Sequence, residues 1–252
     1  MIGQGVGALS TLLLAAIGWL VGVRLLLLAK RTRRAPELCL GLGIFLIGGI
    51  AYPLAAASNI MGESAPNLAW LLAVASATAS HIGVTANCIF NWKVFRPASR
   101  WPRLAVTAAV VATLIGFAGN LSAGLHGGIT SMADKRGWTL FLMAIALGAF
   151  SWAAVESFLY HDKLRRRLAL GMADPVVVDR FRLWGISSAA SATGCLVVAF
   201  FAWTSPLSVM DPVALVFSGA SSVVSAVVMT LTFMPPAGYL RFIQTRHATS
   251  AQ

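Results

Sequence analysis

Acidic side chains are scarce in this chain. Asp and Glu together number eight among 252 residues, against 19 Lys and Arg. All charged residues amount to 11%, where a soluble domain carries roughly 25%. The chain therefore lacks the polar surface of a water-exposed protein. Also missing are paired carboxylates beside a nucleophile, a P-loop, a Gly-rich loop following a strand, and His-Glu-x-x-His spacing. These gaps set aside the common hydrolase, nucleotide-binding and metalloprotease constellations. The expectation is a non-enzymatic protein with no cofactor and no metal. Cysteine is rare as well. Cys39, Cys88 and Cys195 all fall inside apolar runs without Cys-x-x-Cys spacing, so neither a disulfide nor a thiolate metal site is expected. The first ten residues, "MIGQGVGALS", have no basic residue and no small-residue cleavage site, which favours an uncleaved first helix over a signal peptide.

What fills the chain instead is hydrocarbon: 58% hydrophobic residues and a mean hydropathy of +0.80. A helix crosses a bilayer in about 20 apolar residues. Seven such runs are present, at about 7–29, 37–57, 68–91, 104–125, 138–160, 181–203 and 213–234. The predicted fold is an all-α, seven-helix transmembrane bundle forming a single domain over 1–252. Its end, 235–252, forms a short cytoplasmic amphipathic tail.

The net charge of +11 would indicate nucleic acid on a soluble protein, but here the charges sit at helix ends and no nucleic-acid partner is expected. Lys30, Arg31, Arg33, Arg34, Lys93, Arg96, Arg100 and Arg103 lie on one side. Lys163, Arg165, Arg166, Arg167, Arg180, Arg182, Arg241 and Arg246 join them, making 16. Lys135 and Arg136 alone lie on the other. The positive-inside rule makes the richer side cytoplasmic, with the N-terminus out and the C-terminus in, facing anionic headgroups. Trp70, Trp138 and Trp203 at the outer ends, and Trp92, Trp101 and Trp184 at the inner ends, form the expected interfacial belts. Arg exceeds Lys by 15 to 4 and Ala and Gly are abundant, which points to a GC-rich bacterial genome and a bacterial inner membrane.

Helix boundaries can be read from proline. Asp174-Pro175 and Asp211-Pro212 pair an N-cap with a first-turn proline, so helix 6 begins about two turns before its membrane span. Pro235-Pro236 ends helix 7. Pro53 is the one proline inside a span. The run "KLRRRLAL" reads as a cytoplasmic extension of helix 5, and the stretch 161–182 as a long loop able to meet a cytoplasmic protein.

Polar groups inside the spans are the candidate site. Glu156 lies about four residues, or roughly 6 Å, from the predicted inner end of helix 5. Arg24 lies at a similar depth in helix 1, and an Arg24–Glu156 ion pair would explain both; alternatively Arg24 snorkels to the headgroups and Glu156 meets a loop arginine such as Arg165. Thr78, His81, Thr85 and Cys88 share one face of helix 3, with Ser80, Asn87 and Asn91 beside it. Arg24, Glu156, His81, Thr85 and Asn87 are thus the expected ligand-binding or polar interior residues. His81 shares its depth with neither His126 nor His161, which disfavours a bis-histidine haem. The serine-rich runs at 186–194 and 218–226, like "GLGIFLIGG" in helix 2, read as close-packing surfaces. A cavity lined by Ser187, Ser191, Ser221, Ser222 and Ser225 is the alternative. Asn120 needs a polar partner in helix 4.

In helix count and orientation the chain resembles three groups. Microbial rhodopsins hold retinal on a lysine of helix 7, and 213–234 contains none. G-protein-coupled receptors end helix 7 in Asn-Pro-x-x-Tyr, and Pro235-Pro236-Ala237-Gly238-Tyr239 is similar without the Asn. Their Asp-Arg-Tyr is replaced by "NCIFNWKVF". SWEET-type carriers have a 3+1+3 repeat, but Pro53 has no counterpart in the second half. The readings that follow are a receptor- or sensor-like bundle, a small-solute or proton-linked carrier, and a structural subunit of a membrane complex.

Overall fold

A computed structural model describes residues 2–62, 64–127, 132–205 and 211–249. Expectations that rest on the side chains of His126, Lys135, Arg136 and Arg246 fall outside what is described. The described residues form helices and no strand. They are α1 (Ile2–Thr32), α2 (Ala35–Ile44), a π segment (Phe45–Ala51), α3 (Tyr52–Met61), α4 (Pro66–Phe95), α5 (Arg100–Gly127), α6 (Met132–Ala169), α7 (Pro175–Thr204), α8 (Pro212–Phe233) and α9 (Ala237–Thr249). With α2, the π segment and α3 joined into one rod, seven helices are long and apolar enough to cross a membrane. This is a multi-pass membrane protein by length and composition.

Each crossing packs on its chain neighbours, α1 and α8 close the ring, and α4 also reaches α6. Large apolar side chains such as Leu9, Leu104 and Trp203 face outward, at 70%, 70% and 72% exposure. This inside-out surface is what lipid solvates and water does not.

The first contact is built on glycine. Gly18 and Gly22, four residues apart on α1, seat the rod. A methyl group at Gly18 would come within 2.5 Å of the Gly49 nitrogen, and one at Gly22 within 2.6 Å of the Phe45 Cβ. Backbones can approach this closely only without a Cβ. Pro53 does not simply kink the rod. It has no N–H for the Gly49 carbonyl four residues back. The π segment widens the turn ahead of it, and the Trp19 indole donates to the Gly49 oxygen at 3.0 Å. Ser76 of α4 donates to Ala51 at 2.8 Å, which ties the same irregular stretch to a third helix.

The proline signals hold. Asp174 accepts the Val176 N–H at 2.8 Å and Asp211 the Val213 N–H at 2.9 Å, with Pro175 and Pro212 in the first turn. The Ser205 hydroxyl, then the Val213 N–H, holds the Asp211 carboxyl below the usual carboxylate range. Helix α8 ends at Phe233, ahead of Pro235 and Pro236. The basic run extends α6 to Ala169. There Gly171, at φ +70°, closes it: the Gly171 N–H reaches the Leu168 carbonyl and the Met172 N–H the Arg167 carbonyl. This pair of bonds is a Schellman stop. The expected long loop 161–182 is consequently a correction. It is two helix extensions joined by a five-residue turn, because the Schellman stop and the Asp174 cap sit back to back.

Candidate functional site

Both polar layers of the bundle are organised by α4. It runs parallel to α6 and is stitched to it twice. The buried Asn91 donates to the Ala149 carbonyl at 3.1 Å, and Arg96, just past the end of α4, donates from Nε to Glu156 Oε1 at 2.8 Å. This overturns the expected Arg24–Glu156 pair. Arg24 is exposed on α1, which packs on the rod and α8, while α6 packs on α4, α5 and α7. The two residues share a depth but not a side of the bundle. The reason Glu156 is tolerated is also different. Helix α6 continues for 13 residues beyond it, to Ala169, so Glu156 lies level with the end of α4. There a loop arginine reaches it. The Arg96 side chain is 40% exposed and that of Glu156 10%. The cation is thus partly open to its surroundings while the anion is shielded.

Farther from the basic end lies His81, at 9% exposure. Its Nδ1 meets the Ala77 carbonyl one turn back, and its ring packs edge-on against Phe117 of α5, with centroids 5.1 Å apart. The Nε2 atom is buried without a partner. Ala77 and Phe117 also line a cavity of about 70 Å³ between α4 and α5, together with Trp70 and Asn120. Asn120 therefore borders a small cavity at the α4–α5 seam. The buried Asn87 lies beside Gly43 of α2 and leaves its Oδ1 unpaired, as does Asn91. Thr85 lies on the same helix, one turn from His81, and is half-buried. The predicted residues are thus divided. His81, Thr85 and Asn87 sit along α4, Glu156 joins them through Arg96, and Arg24 stands apart.

Two further expectations resolve by packing. Ser187, Ser191 and Ser225 bond across α7 and α8, at 2.9 Å and 3.3 Å between hydroxyls, so the serine runs form a close contact. Trp184 is no interfacial tryptophan. It is 8% exposed, between Phe90 at 5.5 Å and Phe233 at 5.6 Å. Its ring points into the bundle.

One group at the basic end was not anticipated. Tyr239 of α9 donates to Asp179 Oδ2 at 2.6 Å, and Asp179 also pairs with Arg182 at 2.8 Å. His161 Nδ1 meets the Val178 carbonyl at 2.9 Å. These bonds fasten the tail and the extensions of α6 and α7 together. The signal in the sequence was an acid, Asp179, inside a basic stretch. Compared with family models, curated proteins and solved structures, the chain matches none.

Proposed function

We propose that this chain is a non-enzymatic, receptor- or sensor-like protein of a bacterial inner membrane, oriented N-terminus out and C-terminus in. The observation that carries this reading is three buried polar atoms left unpaired on α4, facing α5, α2 and α6 in turn. His81 Nε2, Asn87 Oδ1 and Asn91 Oδ1 sit in residues 9%, 8% and 0% exposed. Leaving such a group unpaired costs about 1–3 kcal/mol, so native proteins rarely do so without use. A small polar ligand donating to His81 Nε2 would relieve that atom. The ligand would reach His81 through the Asn120 side of the α4–α5 seam. Its effect would pass along α4 to the Arg96–Glu156 pair at the basic end, where the turn between α6 and α7 offers a cytoplasmic protein a surface. Anionic headgroups would meet the same basic end.

Support for sensing over carriage comes from the placement of charge. Arg24, His81 and Glu156 lie on no common path, and the irregular, proline-bearing rod has only the continuous α7 as its counterpart. The test is to screen amino acids, sugars and short organic acids for a raised unfolding midpoint in nanodiscs. The rise is expected in the native chain and is lost in His81→Leu and Asn87→Leu. Proteoliposomes should show no counterflow of the same solute. Saturable counterflow would establish the carrier reading. The absence of any response, with stoichiometric recovery in a larger complex, would establish the structural subunit.

A further inference from the structure

Helices α6 and α7 leave the basic end of the bundle as a helical hairpin. Glu156 stands level with the end of α4, and α6 runs on without interruption for 13 residues, to Ala169. At 1.5 Å per residue that is about 20 Å. The polar layer outside the hydrocarbon is only about 5–8 Å deep on each side. The turn at 170–174 therefore stands clear of the bilayer. Two large apolar side chains crown it, Leu170 at 71% and Met172 at 66% exposure. Phe242 of α9 apart, the other exposed large apolar residues lie on the candidate spans, where lipid covers them. The bundle does not cover Met172 either. Its N–H closes the Schellman stop onto the Arg167 carbonyl. Such a stop often seats this residue on an apolar side chain in the last turn of the helix. Here the two positions that could receive it are Arg166 and Arg167.

Below the tip lies a basic collar. Lys163, Arg165, Arg166, Arg167 and Arg180 are exposed, against the acids Asp162 and Asp174. None of these five cations forms an ion pair among the described residues. Arg165, Arg166 and Arg167 lie about 14–17 Å past the level of Glu156. Attraction to headgroups fades over a Debye length of about 8 Å. Lipid thus accounts for neither the apolar tip nor the charge around it. The hairpin is also held in shape. His161 Nδ1 meets the Val178 carbonyl at 2.9 Å, and the Schellman stop abuts the Asp174 cap. A surface already ordered loses little entropy on binding.

We infer that the hairpin tip docks an acidic cytoplasmic protein. Leu170 and Met172 enter an apolar pocket of that partner, and Arg165, Arg166 and Arg167 meet carboxylates on its rim. This rests on the orientation proposed above and gives the partner proposed there its chemistry. A reporter fused after Gln252 reads the orientation separately, so the two can fail apart. The test begins with Met172→p-benzoylphenylalanine in the full chain, irradiated in the source cells. One acidic soluble protein is expected in the adduct. That protein, once purified, is titrated onto the native chain in phosphatidylcholine nanodiscs. Leu170→Ser with Met172→Ser should weaken binding about thirtyfold, the scale of a hot spot. Arg165→Gln, Arg166→Gln and Arg167→Gln together should weaken it about tenfold, mainly by slowing association, and should flatten its salt dependence. All five side chains are exposed, so both variants should unfold at the native midpoint. Adducts with lipid, nucleic acid, a basic protein or a second copy of the chain alone would overturn the inference, as would no adduct at all. So would an acidic partner whose affinity either variant leaves unchanged.

Discussion

Small residues line two contacts in this bundle and do opposite things. Between α1 and the rod, Gly18 and Gly22 bring backbone against backbone. Between α5 and the lower half of α6, Ala105, Ala109, Ala112 and Ala144 face one another and leave a groove. A missing Cβ lets two helices touch, whereas a methyl on each side holds them apart while filling little of the gap. The first contact is held along its length by dispersion between atoms in direct touch. The second side of the molecule adds polar pins to an apolar core of Val84, Cys88, Val106, Ala146 and Cys195: Asn91 and Arg96 onto α6, His161 onto α7, and Tyr239 onto Asp179. Backbone-on-backbone packing and open space are therefore segregated, and His81 lies beside the small cavity between α4 and α5.

The sharpest way to break this contrast is to add a methyl group on each side. Gly18→Ala should drive α1 off the rod and cost roughly 1–3 kcal/mol or more, since the clash is with backbone and cannot be relieved by a rotamer. Gly148→Ala has open space and should stay within about 0.5 kcal/mol of the native chain. Unfolding in mixed micelles by SDS measures both. Equal costs would show that the two contacts are packed alike.

Next come the pins. Arg96→Leu strands a shielded carboxylate and should cost about 3 kcal/mol, near the low end for breaking a buried pair. Glu156→Leu leaves a cation that is already part-solvated, so its cost should be smaller. The two changes should couple in a double-mutant cycle, by about 1 kcal/mol or more. Arg24→Leu should add to Glu156→Leu without coupling. A coupled Arg24 would restore the pairing that depth alone suggested.

That pairing shows where the sequence stopped being legible. Length and hydropathy located all seven crossings, and the Asp-Pro and Pro-Pro signals located three helix ends, because each depends on neighbours in the chain. Lateral placement does not. Depth put Arg24 and Glu156 level, but only packing decides which helix faces which. Glu156 was measured from a helix end at 160, whereas α6 runs to Ala169. The alternative, a loop arginine such as Arg165 as the partner of Glu156, was right in kind, but the arginine is Arg96, after α4 and not after α6. Likewise, Pro53 announced an irregularity. The donation from Trp19 to Gly49 across two helices has no trace in the local sequence.

A smaller effect belongs to the caps on the pinned side. Asp174→Ala removes the acceptor for Val176 and should cost about 0.5–2 kcal/mol, with Asp174→Asn nearly silent. Because the Schellman stop at Gly171 precedes it, hydrogen exchange should rise in the first turns of α7 and not in α6. Exchange spreading equally into both extensions would mean that the turn unfolds as one unit.

The smallest effect concerns the tail, and it has a pH signature. Burial, then the bond to the Asp179 carboxylate, pushes the Tyr239 hydroxyl up to about 12. A free tyrosine gives up its proton near 10. Between those values the docked tail holds a proton that the released tail has lost, so docking weakens as the pH rises. The contribution is complete below about 10 and disappears as the pH passes through 12. Distances between spin labels on α9 and on the extension of α6 should therefore lengthen across that window. The change should be absent in Tyr239→Phe, whose tail lacks the titrating group. Asp179→Asn removes the carboxylate from beside the hydroxyl, so phenolate absorbance from Tyr239 should then appear at lower pH. If the tail stays docked through the window, or if Asp179→Asn leaves the phenolate titration in place, the clasp is not what holds α9. The apolar contact of the buried Ile243 would then be the fastening instead.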